Sequence, residues 1–112
     1  MPGTVENVTD ENYEDFKQSA GSVVAYGIAS CDPCQAYDPI LEETAAQYSN
    51  VRIGKAKMHV PGKCREIKKQ HTFETYPTTH FFSNGTLVLT REGKVEAAEL
   101  AALIDQHLVK TS

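Results

Sequence analysis

The segment Ser22-Val23-Val24-Ala25-Tyr26-Gly27-Ile28 constrains the fold more than any other. It is a nearly continuous apolar run of strand length with no polar residue at alternate positions. A strand with one wet face alternates, whereas an unbroken run belongs to a strand buried on both sides. Layers must therefore cover both faces of the sheet that contains it. A chain of 112 residues is long enough for this, since folding at that size buries roughly two thirds of the unfolded surface without a metal or a disulfide framework. No internal repeat, low-complexity tract or long linker divides it, and one domain is expected over residues 1–112.

The flanking patterns supply the covering layers. Val5 to Val8 reads as a short edge strand, and Thr9 or Asp10 as the cap of a helix reaching about Ser19, with acids in its first turn to complement the helix dipole. From Pro33 to about Ser49 the positions Ala36, Tyr37, Ile40, Leu41, Thr44, Ala45 and Tyr48 recur at helical spacing, and Pro39 should kink that helix without ending it. Val51 to Met58 reads as a strand, and Pro61-Gly62 as the opening of a basic helix that reaches about His71. Thr78 to Ser83 and Thr86 to Arg91 flank Asn84-Gly85, the strongest short-range hairpin signal, so these strands should be antiparallel. Val95 to Val109 carries Leu100, Leu103, Ile104 and Leu108 on one stripe of a closing helix. The sum is an α/β fold, a three-layer α/β/α sandwich around a central mixed sheet.

Charge excludes several classes of function. The chain has 11 Lys and Arg against 15 Asp and Glu, a formal net charge of −4. Seven basic residues (Arg52, Lys55, Lys57, Lys63, Arg65, Lys68, Lys69) gather between 52 and 69. Without interleaved aromatics they read as a solvated face before a docking patch for an acidic partner, and nucleic-acid binding is not expected. No apolar run approaches the ~18 residues of a membrane span. The first sixteen residues hold five acids and no Lys or Arg, unlike an export or mitochondrial signal. A cytoplasmic protein is the expectation. Two Asn-x-Thr triplets, at Asn7 and Asn84, read as a loop and a hairpin turn.

Three cysteines are too few for a disulfide scaffold, and their odd number leaves one unpaired. Cys31 and Cys34 lie three apart at a strand-to-helix junction, close enough to bridge without moving the backbone. The free amides and positive dipole end of the helix favour a thiolate at Cys31, which makes Cys31 the attacking group and Cys34, one turn inward, the resolving one. Pro33 sits where a helix tolerates proline. A Cys-x-x-Cys is also half of a zinc site, for which His59 and Cys64 are the best-spaced partners, and two ordinary core cysteines are a further alternative. The third cysteine, Cys64, stands near Lys63 and Arg65 at a helix start. An exposed thiol there would be reactive and a candidate regulatory group; the alternative is a tolerated surface or half-buried residue. The four histidines are expected to be structural or exposed.

Tyr26-Gly27-Ile28-Ala29-Ser30-Cys31-Asp32-Pro33-Cys34, Pro39-Ile40-Leu41, Tyr76-Pro77-Thr78, Phe81-Phe82-Ser83-Asn84-Gly85 and Gly93 follow one another in the order and spacing of the thioredoxin family. The resemblance spans nearly the whole chain. It implies a thioredoxin fold, a redox-active Cys31–Cys34 disulfide with no bound cofactor or metal, and a cis bond before Pro77 facing the cysteines. It also implies a substrate groove around Ser30, Tyr76, Pro77 and Gly93, in which the backbone of Tyr76 pairs with an extended substrate. The departures are specific. Ser30-Cys31-Asp32-Pro33-Cys34 stands where the family has Trp-Cys-Gly-Pro-Cys, Gly27 replaces the strand tryptophan, and the family's buried acid falls at Ala25, while Lys55 matches its buried lysine.

By that resemblance the chain reduces protein disulfides as a monomer, with electrons from a thioredoxin-reductase-type donor, with Asp32, Pro33 and Lys55 tuning the site, and with resolution slowed by the absence of an acid at 25. The rival is a thioredoxin-fold interaction protein that binds partners at the groove around Pro77 with weak or no reductase activity.

Overall fold

A computed structural model describes residues 4–28, 31–48, 50–60, 62–71, 73 and 75–108. Ser30 and Pro61 lie outside them. The elements run β1 (Val5–Val8), α1 (Tyr13–Lys17), β2 (Ser22–Gly27), α2 (Asp32–Gln47), β3 (Arg52–Lys57), α3 (Arg65–Gln70), β4 (Thr78–Ser83), β5 (Thr86–Glu92) and α4 (Ala97–His107). The five strands form one sheet in the order β1-β3-β2-β4-β5. β1, β3 and β2 are mutually parallel neighbours, and β4 runs antiparallel to both β2 and β5.

β2 is buried at every position, as its unbroken apolar sequence requires. Its residues alternate between two cores. Val23 and Ala25 join Tyr37, Leu41, Leu100 and Ile104 under α2 and α4. Val24 and Tyr26 join Tyr13, Phe16, Ile67 and Phe82 under α1 and α3. The two layers are thus a consequence of period-two alternation along one doubly covered strand. Gly54 lets α1 lie close, since a Cβ there would come 2.5 Å from Val8 Cγ2 and 2.7 Å from Phe16 Cζ.

Two helix starts differ from those the sequence suggests, each for a physical reason. α1 begins at Tyr13 with Asn12, and neither Thr9 nor Asp10, at the cap position; the Asn12 side chain makes no cap bond and instead ties down the preceding turn, its Oδ1 accepting the Thr9 amide at 2.8 Å and its Nδ2 donating to the Asn7 carbonyl at 2.9 Å. Asp10 turns outward to cap α3 instead. α3 begins at Arg65 because Gly62 has a φ of +77°, which no right-handed helix includes. Asn7 lies in β1 and not in a loop. Asn84 (φ +51°) and Gly85 (φ +88°) make the expected left-handed hairpin turn.

Candidate active site

The site forms where β2 hands the chain to α2. Cys31 caps α2 in an extended conformation, and its Sγ accepts the backbone N–H of Cys34 at 3.2 Å. Asp32 and Pro33 fill the first turn, where an acid faces the positive dipole end and proline has no amide to forfeit. Cys31 and Cys34 form a disulfide with a Cα–Cα separation of 5.2 Å. Cys31 is partly exposed and Cys34 is buried, so only the first offers its sulfur to a large partner. Pro39, inside α2, leaves the helix continuous to Gln47.

Across from the cysteines, Tyr76-Pro77 is a cis peptide. The Tyr76 carbonyl oxygen lies 3.6 Å from Cys31 Sγ. The Gly93 amide donates to the Pro77 carbonyl at 2.7 Å, with Gly93 at φ +86°. The fold therefore brings Cys31, Cys34, Asp32, Pro33, Tyr76, Pro77 and Gly93 to one end of the molecule. The Tyr76 ring stands 6.0 Å from that of Phe73, which continues through Tyr26 (4.4 Å from Phe73) into the aromatic core beneath α3.

Behind the disulfide the surroundings are set by small residues. A Cβ on Gly27 would stand 3.1 Å from Cys34 Sγ, so that sulfur rests against bare backbone. Ala25 and Lys55 are register partners on β2 and β3 and point to the same face. Lys55 Nζ donates to both carboxylate oxygens of Asp38, at 2.7 and 2.8 Å. Asp38 follows Cys34 by four residues and so lies on the same side of α2. A small cavity of about 10 Å³ touches Ala25, Gly27, Cys34, Asp38, Lys55 and Pro77. The sequence carries the signal for Asp38 in its i, i+4 spacing from Cys34, and that residue was not among the expected site residues.

Cys64 is neither an exposed reactive thiol nor a surface or half-buried residue; it is buried. It is 2% exposed, with Sγ 3.6 Å from the Lys57 carbonyl oxygen and 4.0 Å from that of Val8. Burial pushes its thiol up, the nearby Asp10 carboxylate adds to that, and Lys68 opposes it. Of the histidines, His80 is buried with Nδ1 3.1 Å from Tyr26 Oη and its ring 4.7 Å from that of His71, while His59 is exposed. Among the described residues no group of three or more His, Cys, Asp or Glu is placed to hold a metal ion. None of their helices is long and apolar enough to cross a membrane. Arg52 and Lys55, from the basic stretch, are consumed in ion pairs with Glu6 and Asp38.

The thioredoxin family profile matches residues 4–106. The chain belongs to the thioredoxin family. It is 30% identical over 110 residues to a thioredoxin of Acidithiobacillus ferridurans, covering 96% of this chain and 100% of that one. It is 29% identical over 104 residues to a thioredoxin of Buchnera aphidicola, covering 90% and 94%. Among solved structures, a thioredoxin mutant from Halobacterium salinarum superposes with a TM-score of 0.85 at 18% identity, covering 99% of this chain and 96% of that one. Spinach chloroplast thioredoxin f superposes at 0.82 and 19% identity, covering 94% of each chain. These two establish the fold as the thioredoxin fold. Family membership and the Cys31–Cys34 disulfide together support thiol–disulfide oxidoreductase activity.

Proposed function

We propose that this thioredoxin-family protein reduces disulfides in protein substrates by a two-step dithiol exchange. Cys31 attacks a substrate sulfur, and Cys34 resolves the mixed disulfide. The observation that carries this reading is the position of Cys31 Sγ, which accepts the Cys34 amide at the start of a 16-residue helix while remaining partly exposed. Helix-terminal amides stabilise developing negative charge on sulfur, and only an accessible thiolate attacks a macromolecular disulfide.

An extended substrate segment then lies along Tyr76, Pro77 and Gly93, with its scissile sulfur opposite Cys31. The two electrons come from a thioredoxin-reductase-type donor, and the protein works as a monomer in the cytoplasm. Asp32 and Pro33 set the charge and rigidity around Cys31. Ala25 offers no carboxylate behind Cys34 from β2, so resolution is the slower step.

Insulin-disulfide reduction tests this directly. Wild type should turn over and Cys31→Ser should not, while Cys34→Ser should accumulate a covalent adduct through Cys31. Cysteine-independent capture of partners at Pro77, with no turnover by wild type, would instead establish a binding module.

A further inference from the structure

We propose that Asp38, held by Lys55, accepts the Cys34 proton when the mixed disulfide is resolved, supplying from α2 the carboxylate that β2 lacks. The inference rests on the dithiol reading above and concerns its second step only.

Three observations converge on Asp38. It lies one helical turn from Cys34 on the same face of α2, where Cβ atoms are about 5–6 Å apart. Both of its oxygens are fixed by Lys55 Nζ, at 2.7 and 2.8 Å. Lys55 is in turn the register partner of Ala25, so ammonium and carboxylate lie beside a β2 position on the face that α2 covers. The cavity bordered by Cys34, Asp38 and Lys55 measures about 10 Å³, the order of one water molecule, which is the span by which a carboxylate reaches a thiol indirectly.

The Cys34 thiol releases its proton toward Asp38 and its sulfur forms the bond to Cys31 Sγ. The bond from Cys31 Sγ to the substrate sulfur breaks, and the substrate leaves as a thiolate. The two cysteines are oxidised to a disulfide and the substrate half is reduced; solvent later takes the proton from Asp38. Access for that exchange exists, because Asp38, Glu42 and Lys55 line an open cleft of about 440 Å³. Lys55 acts as a positioning residue. Among the described residues, the other charged or titratable groups lining these pockets are Glu42 from α2, the buried Tyr37 one residue before Asp38, and Lys57 and His59, which share a pocket with Cys34 and Lys55.

Dithionitrobenzoate separates the two steps, since attack by reduced Cys31 releases one coloured thiolate and resolution by Cys34 releases the second. In Asp38→Asn the first phase should be unchanged. The second should slow by at least about tenfold and acquire a steeper rise with pH, because hydroxide must now do what the carboxylate did. In Asp38→Ala the second phase should slow similarly and be accelerated by added acetate, which reaches the position through the open cleft. A wild-type second phase with an unmoved pH profile in either variant, or a slow Asp38→Ala that acetate does not accelerate, overturns the assignment. Loss of the first phase in wild type would instead overturn the dithiol reading itself.

Discussion

Two helices in this molecule begin at a cysteine, and they make opposite uses of the position. Cys31 caps α2 with its own sulfur, which takes the Cys34 amide. Cys64 stands at the cap of α3, but its side chain makes no cap bond. There Asp10, just past the end of β1, accepts the amides of Arg65 at 2.7 Å, Glu66 at 3.1 Å and Ile67 at 3.2 Å. The same dipole that favours a thiolate in α2 is thus answered in α3 by a carboxylate. Length and burial widen the difference, for α2 has 16 residues and α3 six. A cysteine at a helix start is reactive only when the free amides are left for the sulfur.

The largest effect expected from this contrast is on turnover. Cys31→Ser should abolish disulfide reduction, whereas Cys64→Ala should leave it unchanged. Reduction that depends on Cys64 in a steady-state insulin assay would end the distinction between the two helix starts.

Acid should loosen the α3 side first. His80, buried beneath that layer and with its ring 4.7 Å from that of His71 at the end of α3, is pushed down to about 4 by burial and by the neighbouring His71 and Lys17. In the unfolded chain it titrates near 6.5. Between those values the unfolded state binds a proton that the folded state refuses, so stability is complete above about pH 6.5 and declines as the pH falls toward 4, by about 3 kcal/mol at most. His71, also held low by burial, adds in the same direction. Urea denaturation at pH 7 and pH 5 should show the loss, and His80→Phe should flatten it. A stability that holds constant over that range would mean that the pair is already solvated.

A smaller effect is expected at the carboxylate cap. Asp10→Ala should cost about 1 kcal/mol and speed amide exchange in α3 relative to α2. It should also lower the Cys64 thiol pKa, since Asp10 raises it, so that iodoacetamide labelling at pH 8 becomes faster. Labelling unchanged while α3 exchanges faster would show that burial alone protects the sulfur.

The smallest effect belongs to Asp32, exposed in the first turn of α2. Its carboxylate opposes a Cys31 thiolate but not a disulfide, so it disfavours the reduced form and makes the couple more reducing. Asp32→Gly should raise the reduction potential by about 10 to 30 mV, the upper figure corresponding to a tenfold change for two electrons. Equilibration with glutathione measures this, and a lowered potential would reverse the sign of the argument.

How far the sequence carries can be seen from the same residues. β2 was legible because burial on both faces leaves no alternation to misread, and Asn84-Gly85 because a left-handed turn admits few residue types. α2 was legible through its proline and its stripe. What did not show was long-range use of polar side chains. Asp10 reads as a cap for the helix that follows it, and only the fold reveals that its carboxylate serves amides 55 to 57 residues away. Cys64 between Lys63 and Arg65 reads as exposed or half-buried and not as fully buried, because local charge carries no information about the Val8 and Lys57 carbonyls beside its sulfur. Asp38 shows its spacing from Cys34 in the sequence but not its pairing, because its partner Lys55 is 17 residues distant, on another element.

Gly27 limits how this protein can be engineered. A glycine inside a strand is an obvious target for stabilisation, since replacing it with a β-branched residue ordinarily strengthens the strand. Here the first atom of any such side chain arrives 3.1 Å from Cys34 Sγ and 3.3 Å from Cys34 Cβ. The substitution would therefore displace the second sulfur before it stiffened anything, and gains in melting temperature at this position would be bought with the geometry of electron transfer. Stabilising changes are better sought on the exposed strand β5, which lies at the opposite edge of the sheet from β1 and carries Leu87 and Val88 in solvent.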